Sequence, residues 1–382
     1  MLKRVEIENY RSCRNVVLDD LGPMTILVGR NAVGKTNILH AIQWAAKAAT
    51  ISEVWGNGAF KLIFQVGESV YYYSLKANIL PIKDKSVEIY ETLEMHEGNA
   101  PARRILARKG EEIQLFFPEH KEIALGALSP CLPAIVSLIP ADQPVVKVIQ
   151  PFLAALERIR YYPLESDDFD TSLHSLQSYV VFSEQYNSWL NHYTATNVPG
   201  NSVLMRLLHL WQTNDTAFQE IRDLLGSNGL GVVIDIHLVS SDTPDDPQKS
   251  FFRIRFQTGE QSHFPLSSLS AGTQRIIRLV VSLLFDQSSV MLIEHPEDTI
   301  HRGLLRKVID LLRVYSDQHQ LILTSHSSVV FDTLDPTAVR LVTMENDATK
   351  VRKLTPEELR AAKLFMEEEG SLSDFIETVE EE

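Results

Sequence analysis

The residues Gly29-Arg30-Asn31-Ala32-Val33-Gly34-Lys35-Thr36, followed by Asn37, combine two glycines, a lysine and a hydroxyl at fixed offsets. That spacing suits the cradling of phosphates. The glycines let the backbone curl so that successive N–H groups converge on an anion. Lys35 brings a positive charge to the β- and γ-phosphates, and the Thr36 hydroxyl is a hard oxygen ligand for Mg²⁺. The apolar run Met24-Thr25-Ile26-Leu27-Val28 precedes the loop and a helix-like stretch follows it. Strand, loop and helix thus arrive in the order that a phosphate loop of the Walker A type requires, and ATP with Mg²⁺ is the expected ligand.

Three clusters downstream extend this chemistry. Leu269-Ser270-Ala271-Gly272-Thr273-Gln274-Arg275 opens a helix-like run, Ile276 to Phe285. A serine and a glycine at a helix N-terminus form a second anion site, because the first N–H groups lack partners and the helix dipole is positive there. Next, Val290-Met291-Leu292-Ile293 has the pattern of a buried strand ending in Glu294, and His295-Pro296-Glu297-Asp298 follows. A carboxylate at the C-terminal end of such a strand is placed to hold Mg²⁺, so Thr36 and Glu294 are the expected metal residues. A further buried strand, Leu321-Ile322-Leu323-Thr324, ends in Ser325-His326-Ser327 and brings an imidazole to the same sheet edge. His295, Glu297 and His301 do not follow a zinc-ligand spacing. Arg11 and Arg14 could touch the nucleotide or DNA, although exposed arginines on a turn are more often just solvated.

The elements that must position these residues follow from periodicity. Behind the loop, Ile38, Ile42, Ala45, Ala46 and Ala49 recur at helical spacing and give one apolar face to lay on a sheet. Strand-like runs between Lys61 and Gln114 are separated by Gly- or Lys-rich turns and predict an antiparallel sheet. Pro130 to Pro151 reads as an irregular connection into a helix, Val145 to Ile159, and Arg160 to Leu164 as a strand. Ser172 to Leu225 has a mainly helical pattern, too short and without the heptads of a coiled-coil arm. Val232 to Ile236 and Phe252 to Phe256 read as hairpin strands around a turn at Ser241 to Pro247. After His326 come one strand, Val339 to Val342, and helices around Leu359 to Met366 and Leu372 to Val379. The expected fold is α/β: a mixed or parallel sheet, an added antiparallel β-subdomain and a short helical insertion. The expected division is 1–160, a lobe with the phosphate loop; 161–231, the insertion; and 232–382, a second lobe with the remaining motifs.

Composition sets bounds. The 382 residues are 44% hydrophobic and 23% charged, as in a globular protein with a substantial core. Two cysteines, Cys13 and Cys131, make no disulfide framework and fit a reducing cytoplasm. No apolar stretch has the length of a membrane span, and Met1 to Glu8 alternates like a strand rather than a signal peptide. A net charge of -14 argues against a surface devoted to nucleic acid, although a local basic patch is compatible with it.

Taken together, the motifs resemble those of ABC-type ATPases, in the branch of SMC, RecF and OLD-like proteins described as AAA family ATPases. Val5-Glu6-Ile7-Glu8-Asn9-Tyr10-Arg11-Ser12 is similar to that branch's first strand and basic turn, and Leu27 to Asn37 to its Walker A segment. Leu269 to Gln274 resembles its signature loop, Ile293 to Glu297 its Walker B region, and His326 its switch histidine. The resemblance implies two catalytic sites per dimer, each built from one protomer's Walker A loop and the other's Ser270, Ala271, Gly272 and Gln274. It also implies that His295 occupies the position where the family usually has a water-activating glutamate. A neutral imidazole organises water less strongly than a carboxylate, which predicts slow ATP hydrolysis, with Glu297 as the alternative base. The chain after His326 is too short for the metal-dependent nuclease domain of OLD-type proteins. The implied function is therefore an ATP-dependent switch, cytoplasmic and without a membrane partner, that controls a separately encoded effector as in anti-phage defence. A RecF-like DNA-repair ATPase and an ATP-gated scaffold that turns over little or no ATP are the alternatives.

Overall fold

A computed structural model describes residues 1–51, 57–79, 87–98, 100–126, 131–162, 180–196, 202–243, 246–368 and 370–381. Two compact units emerge: Met1–Tyr162 with Ser288–Pro296 and Leu312–Glu382, and Pro163–Gln287 with Glu297–Leu311. The expected α/β architecture is present, with a mainly parallel sheet and added antiparallel sheets.

The first unit holds two sheets. A six-stranded sheet runs in the order Ile159–Tyr162, Val290–Glu294, Gln320–Ser325, Met24–Val28, Val339–Glu345, Ala348–Arg352. Every pairing in it is parallel except the last. Met24–Val28 and Gln320–Ser325 are buried at every residue, which explains their unbroken apolar reading: helices and a second sheet leave a central parallel strand no polar face. The second sheet is antiparallel and eight-stranded, from Cys13–Leu18 through Leu2–Tyr10, Gly58–Val66, Ser69–Ile79, Val87–Glu97, Arg103–Lys109 and Glu112–Leu115 to Lys121–Ala124. The helix Lys35–Ile51 buries Ile38, Leu39, Ile42, Ala45 and Ala49 in the shared core. Gln320 links the first strand to the central sheet, accepting from Leu2 N at 2.7 Å and donating to Leu2 O at 2.7 Å and Gly22 O at 2.9 Å.

The second unit contains a smaller antiparallel sheet of Val180–Phe182, Asp246–Gly259, Asp235–Thr243 and Ser262–Phe264, with the helices Ser183–Thr196, Val203–Thr213, Asp215–Leu225 and Ala271–Phe285. Arg206 reaches across from Val203–Thr213 to Ser282 Oγ at 2.9 Å and Asp286 Oδ2 at 3.0 Å, fixing the C-terminal end of Ala271–Phe285. Arg222 clamps Asp235 through two bonds of 2.6 and 2.7 Å. Those bonds hold the Asp235 carboxyl below its ordinary range.

Several local expectations change. The proline-rich connection contains a helix, Cys131–Leu138, before Pro144–Glu157. Pro133 and Pro144 lie in first turns, where a missing N–H costs nothing. The segment read as helical from Ser172 includes a strand, Val180–Phe182, while 172–179 fall outside the described residues. The strand expected at Val232 begins at Asp235, because the N–H groups of Val232 and Val233 instead bond Leu225 O and close the preceding helix. Strand Ile159–Tyr162 covers the described part of the run expected from Arg160. None of the described helices is long and apolar enough to cross a membrane.

Candidate functional site

The phosphate loop owes its shape to what surrounds its glycines. Gly34 lies at φ +100°, and a Cβ there would stand 2.0 Å from Thr349 Oγ1 and 2.7 Å from Ser12 Oγ. Gly29 has a φ of +152°, with Val342 O only 2.1 Å from where its Cβ would be. Both positions therefore exclude a side chain. Lys35 is buried, and its ammonium lies inside the curl, donating to Gly29 O at 2.7 Å and Arg30 O at 2.9 Å. Asn31, Ala32, Gly34, Lys35, Thr36, Asn37 and His295 line a concavity of about 200 Å³ at the N-terminus of the helix. Converging N–H groups, a positive helix end and an ammonium make this an anion site.

At its mouth Thr36 Oγ1 donates to Glu294 Oε1, joining the loop to the end of strand Val290–Glu294. A hydroxyl and a carboxylate side by side, next to a phosphate cradle, form the hard oxygen set that suits Mg²⁺. His295 follows with φ 42°, and its N–H is held by Thr324 O at 3.1 Å. A non-glycine residue in the left-handed region persists only where its surroundings fix it. His326, at the end of the neighbouring strand, sets its ring 5.1 Å from that of His295. The structure thus brings Lys35, Thr36, Glu294, His295 and His326 to one edge of the parallel sheet. Glu297 and His301 belong to the second unit; Glu297 is buried, while His301 is exposed and accepts from Gly303 N.

In the second unit Ser270 caps the helix Ala271–Phe285, its Oγ accepting from Thr273 N at 3.2 Å. Gln274 donates to Leu269 O at 2.7 Å and shapes the turn before the helix. A Cβ on Gly272 would meet Thr299 O at 2.4 Å, so close backbone contact requires the glycine.

Residues the sequence did not single out also reach the phosphate loop. Thr349 donates to Val33 O at 2.9 Å and shares a 2.7 Å hydroxyl contact with Ser12, which accepts from Asn37 at 2.8 Å. Arg11, for which a solvated turn position is the commoner expectation, donates to Asn37 Oδ1 at 3.2 Å and to His40 Nδ1 at 2.8 Å. Arg14 is exposed. The Tyr161 hydroxyl donates to Glu294 Oε2.

Loop, sheet order and strand-end carboxylate define a P-loop nucleoside-triphosphatase fold. Two family models match the chain: an "AAA ATPase domain" over residues 1–103, and an "AAA domain" described with AbiEii toxin and Type IV TA system over residues 171–332. An "ATP/GTP phosphatase" of Helicobacter pylori is 20% identical over 357 residues, 88% of each chain. An "OLD nuclease" of Thermus scotoductus is 23% identical over 395 residues, covering 95% of this chain and 66% of that protein. A "DNA replication and repair protein RecF" of Staphylococcus epidermidis is 25% identical over 148 residues, 38% of this chain and 33% of that protein. Among solved structures, an SMC head bound to the C-winged helix domain of ScpA superposes with a TM-score of 0.52 at 14% identity, covering 94% of this chain and 99% of that one. The AAA-type domain matches, together with the similarity to OLD nuclease and RecF, support an ABC-type ATPase of the SMC, RecF and OLD-like branch.

Proposed function

We propose that this ATPase binds ATP with Mg²⁺, hydrolyses it slowly, and uses the nucleotide state to join two heads and switch a separately encoded effector. One observation carries the reading. A buried Lys35 inside a glycine-defined loop stands beside the Thr36–Glu294 pair, so charge, N–H groups and hard oxygens meet at one helix N-terminus. Gly29 to Asn37 hold the triphosphate, and Lys35 offsets the charge that grows on the β- and γ-phosphates. Thr36 and Glu294 would hold Mg²⁺, which would supply Lewis-acid stabilisation of the phosphoryl group. His295 accepts the proton of the attacking water, Glu297 is the alternative base, and His326 orients the γ-phosphate side. Ser270, Ala271, Gly272 and Gln274 of one protomer contact the γ-phosphate bound by the other. The kinship with an "ATP/GTP phosphatase" supports hydrolysis, and the AbiEii description supports a role in controlling an effector, which we place in prokaryotic anti-phage defence in the cytoplasm.

The experiment is ATP binding and turnover of the wild type beside Lys35→Ala. Removing the ammonium should abolish turnover and weaken binding; equal affinity and rate in both proteins would end the assignment. A second reading, a RecF-like ATPase that binds duplex DNA, draws on the RecF match and predicts salt-sensitive DNA binding by the isolated protein. A scaffold that holds ATP with little turnover is distinguished by a negligible rate alongside tight binding.

A further inference from the structure

We propose that Tyr161 is a positioning residue for the Mg²⁺-side carboxylate: its hydroxyl holds Glu294 in the orientation that receives the metal. The proposal rests on the reading of Thr36 and Glu294 as the Mg²⁺ residues.

The strands set the geometry. Ile159–Tyr162 pairs in parallel with Val290–Glu294, and Tyr161 lies opposite Leu292. Side chains alternate along a strand, so Tyr161, Leu292 and Glu294 share one face of the sheet, and a long phenol reaches its diagonal neighbour Glu294. There its O–H donates to Glu294 Oε2, while Thr36 Oγ1 donates to Oε1. The two donors do different work. Thr36 Oγ1 is itself a metal ligand in the proposed site, so it cannot be relied on to orient the carboxylate once it ligates. Tyr161 binds the other oxygen and can keep the carboxylate aimed in either state. Donors of this kind, one bond removed from a metal, fix ligand orientation and raise affinity.

The ring is held in its turn. His40, on the helix that begins at Lys35, packs edge-on against Tyr161 with ring centroids 4.8 Å apart and planes at 73°. His40 Nδ1 accepts from the Arg11 guanidinium at 2.8 Å, which makes it the neutral tautomer with its proton on Nε2. The adjacent tyrosine supplies a contrast. Tyr162 points to the opposite face and meets Ser288 Oγ at 3.2 Å, away from Glu294.

The test measures binding of a fluorescent ATP analogue as Mg²⁺ is titrated, and again in EDTA, for the wild type, Tyr161→Phe and Tyr162→Phe. Phenylalanine keeps the ring and its packing on His40 and removes only the hydroxyl. We expect Tyr161→Phe to raise the half-saturating Mg²⁺ concentration roughly tenfold with affinity in EDTA unchanged, and Tyr162→Phe to match the wild type. An unchanged Mg²⁺ dependence in Tyr161→Phe, or an equal shift in both variants, overturns the proposal. Failure of the wild type to bind the analogue, or binding indifferent to Mg²⁺, overturns the nucleotide site itself and the proposal with it.

Discussion

His295 sits where a side chain is disfavoured: its φ of 42° costs a non-glycine residue about 1–2 kcal/mol, and the bond from its N–H to Thr324 O holds it there. That geometry turns the backbone after Glu294 so that the imidazole joins the lining of the phosphate concavity and meets the His326 ring. If the imidazole accepts the water proton, His295→Ala should lower turnover at saturating ATP by roughly 100-fold, within the range for loss of a general base. His295→Glu should raise the rate above wild type, because a carboxylate organises water more strongly. Steady-state phosphate release checks both. Equal rates in all three proteins would remove His295 from the chemical step.

Elements rather than single side chains give the phosphate loop its curl. The hairpin Val339–Glu345 and Ala348–Arg352 lies over it, placing Val342 O against Gly29 and Thr349 against Gly34. Gly34→Ala should therefore lose ATP binding and destabilise the fold by more than the roughly 1 kcal/mol of an ordinary glycine effect, since the new Cβ has Thr349 Oγ1 at 2.0 Å and a positive φ to satisfy. Chemical denaturation and nucleotide titration of the same variant check the two effects. This dependence on the hairpin was hidden in the sequence. The loop itself was legible because its chemistry is local, with glycines, lysine and hydroxyl within eight residues, and the buried parallel strands were legible as unbroken apolar runs. Thr349 lies 316 residues from the Val33 carbonyl it bonds, and Tyr161 lies 133 residues from Glu294, so no local pattern links them. The helix Cys131–Leu138 was missed because Pro133 was read as a breaker when it sits in the first turn. Strand Val180–Phe182 is too short for a period to register.

Across the whole molecule, the two thiols report on the integrity of one core. Cys13 and Cys131 are both buried and free, and burial pushes the Cys13 thiol up to about 11 and that of Cys131 further. Thiolate is what reacts, so the native protein should resist a maleimide at pH 7 and gain two labels in denaturant. Mass spectrometry checks this, and rapid native labelling would contradict the packing described for the antiparallel sheet and its helices. In the proposed assembly, a catalytic site combines the Walker A loop of one head with the signature loop of another. That arrangement is tested most directly by mixing two inactive variants, Lys35→Ala, which spoils the phosphate loop, and Ser270→Arg, which spoils the signature helix start. In a mixed dimer one of the two sites combines the intact loop of each protomer. Each variant alone should have little ATPase activity, and an equimolar mixture should recover a substantial fraction of wild-type activity, more so at higher protein concentration. A mixture no more active than its separate components, beside a wild type whose specific activity does not change with concentration, would contradict that arrangement.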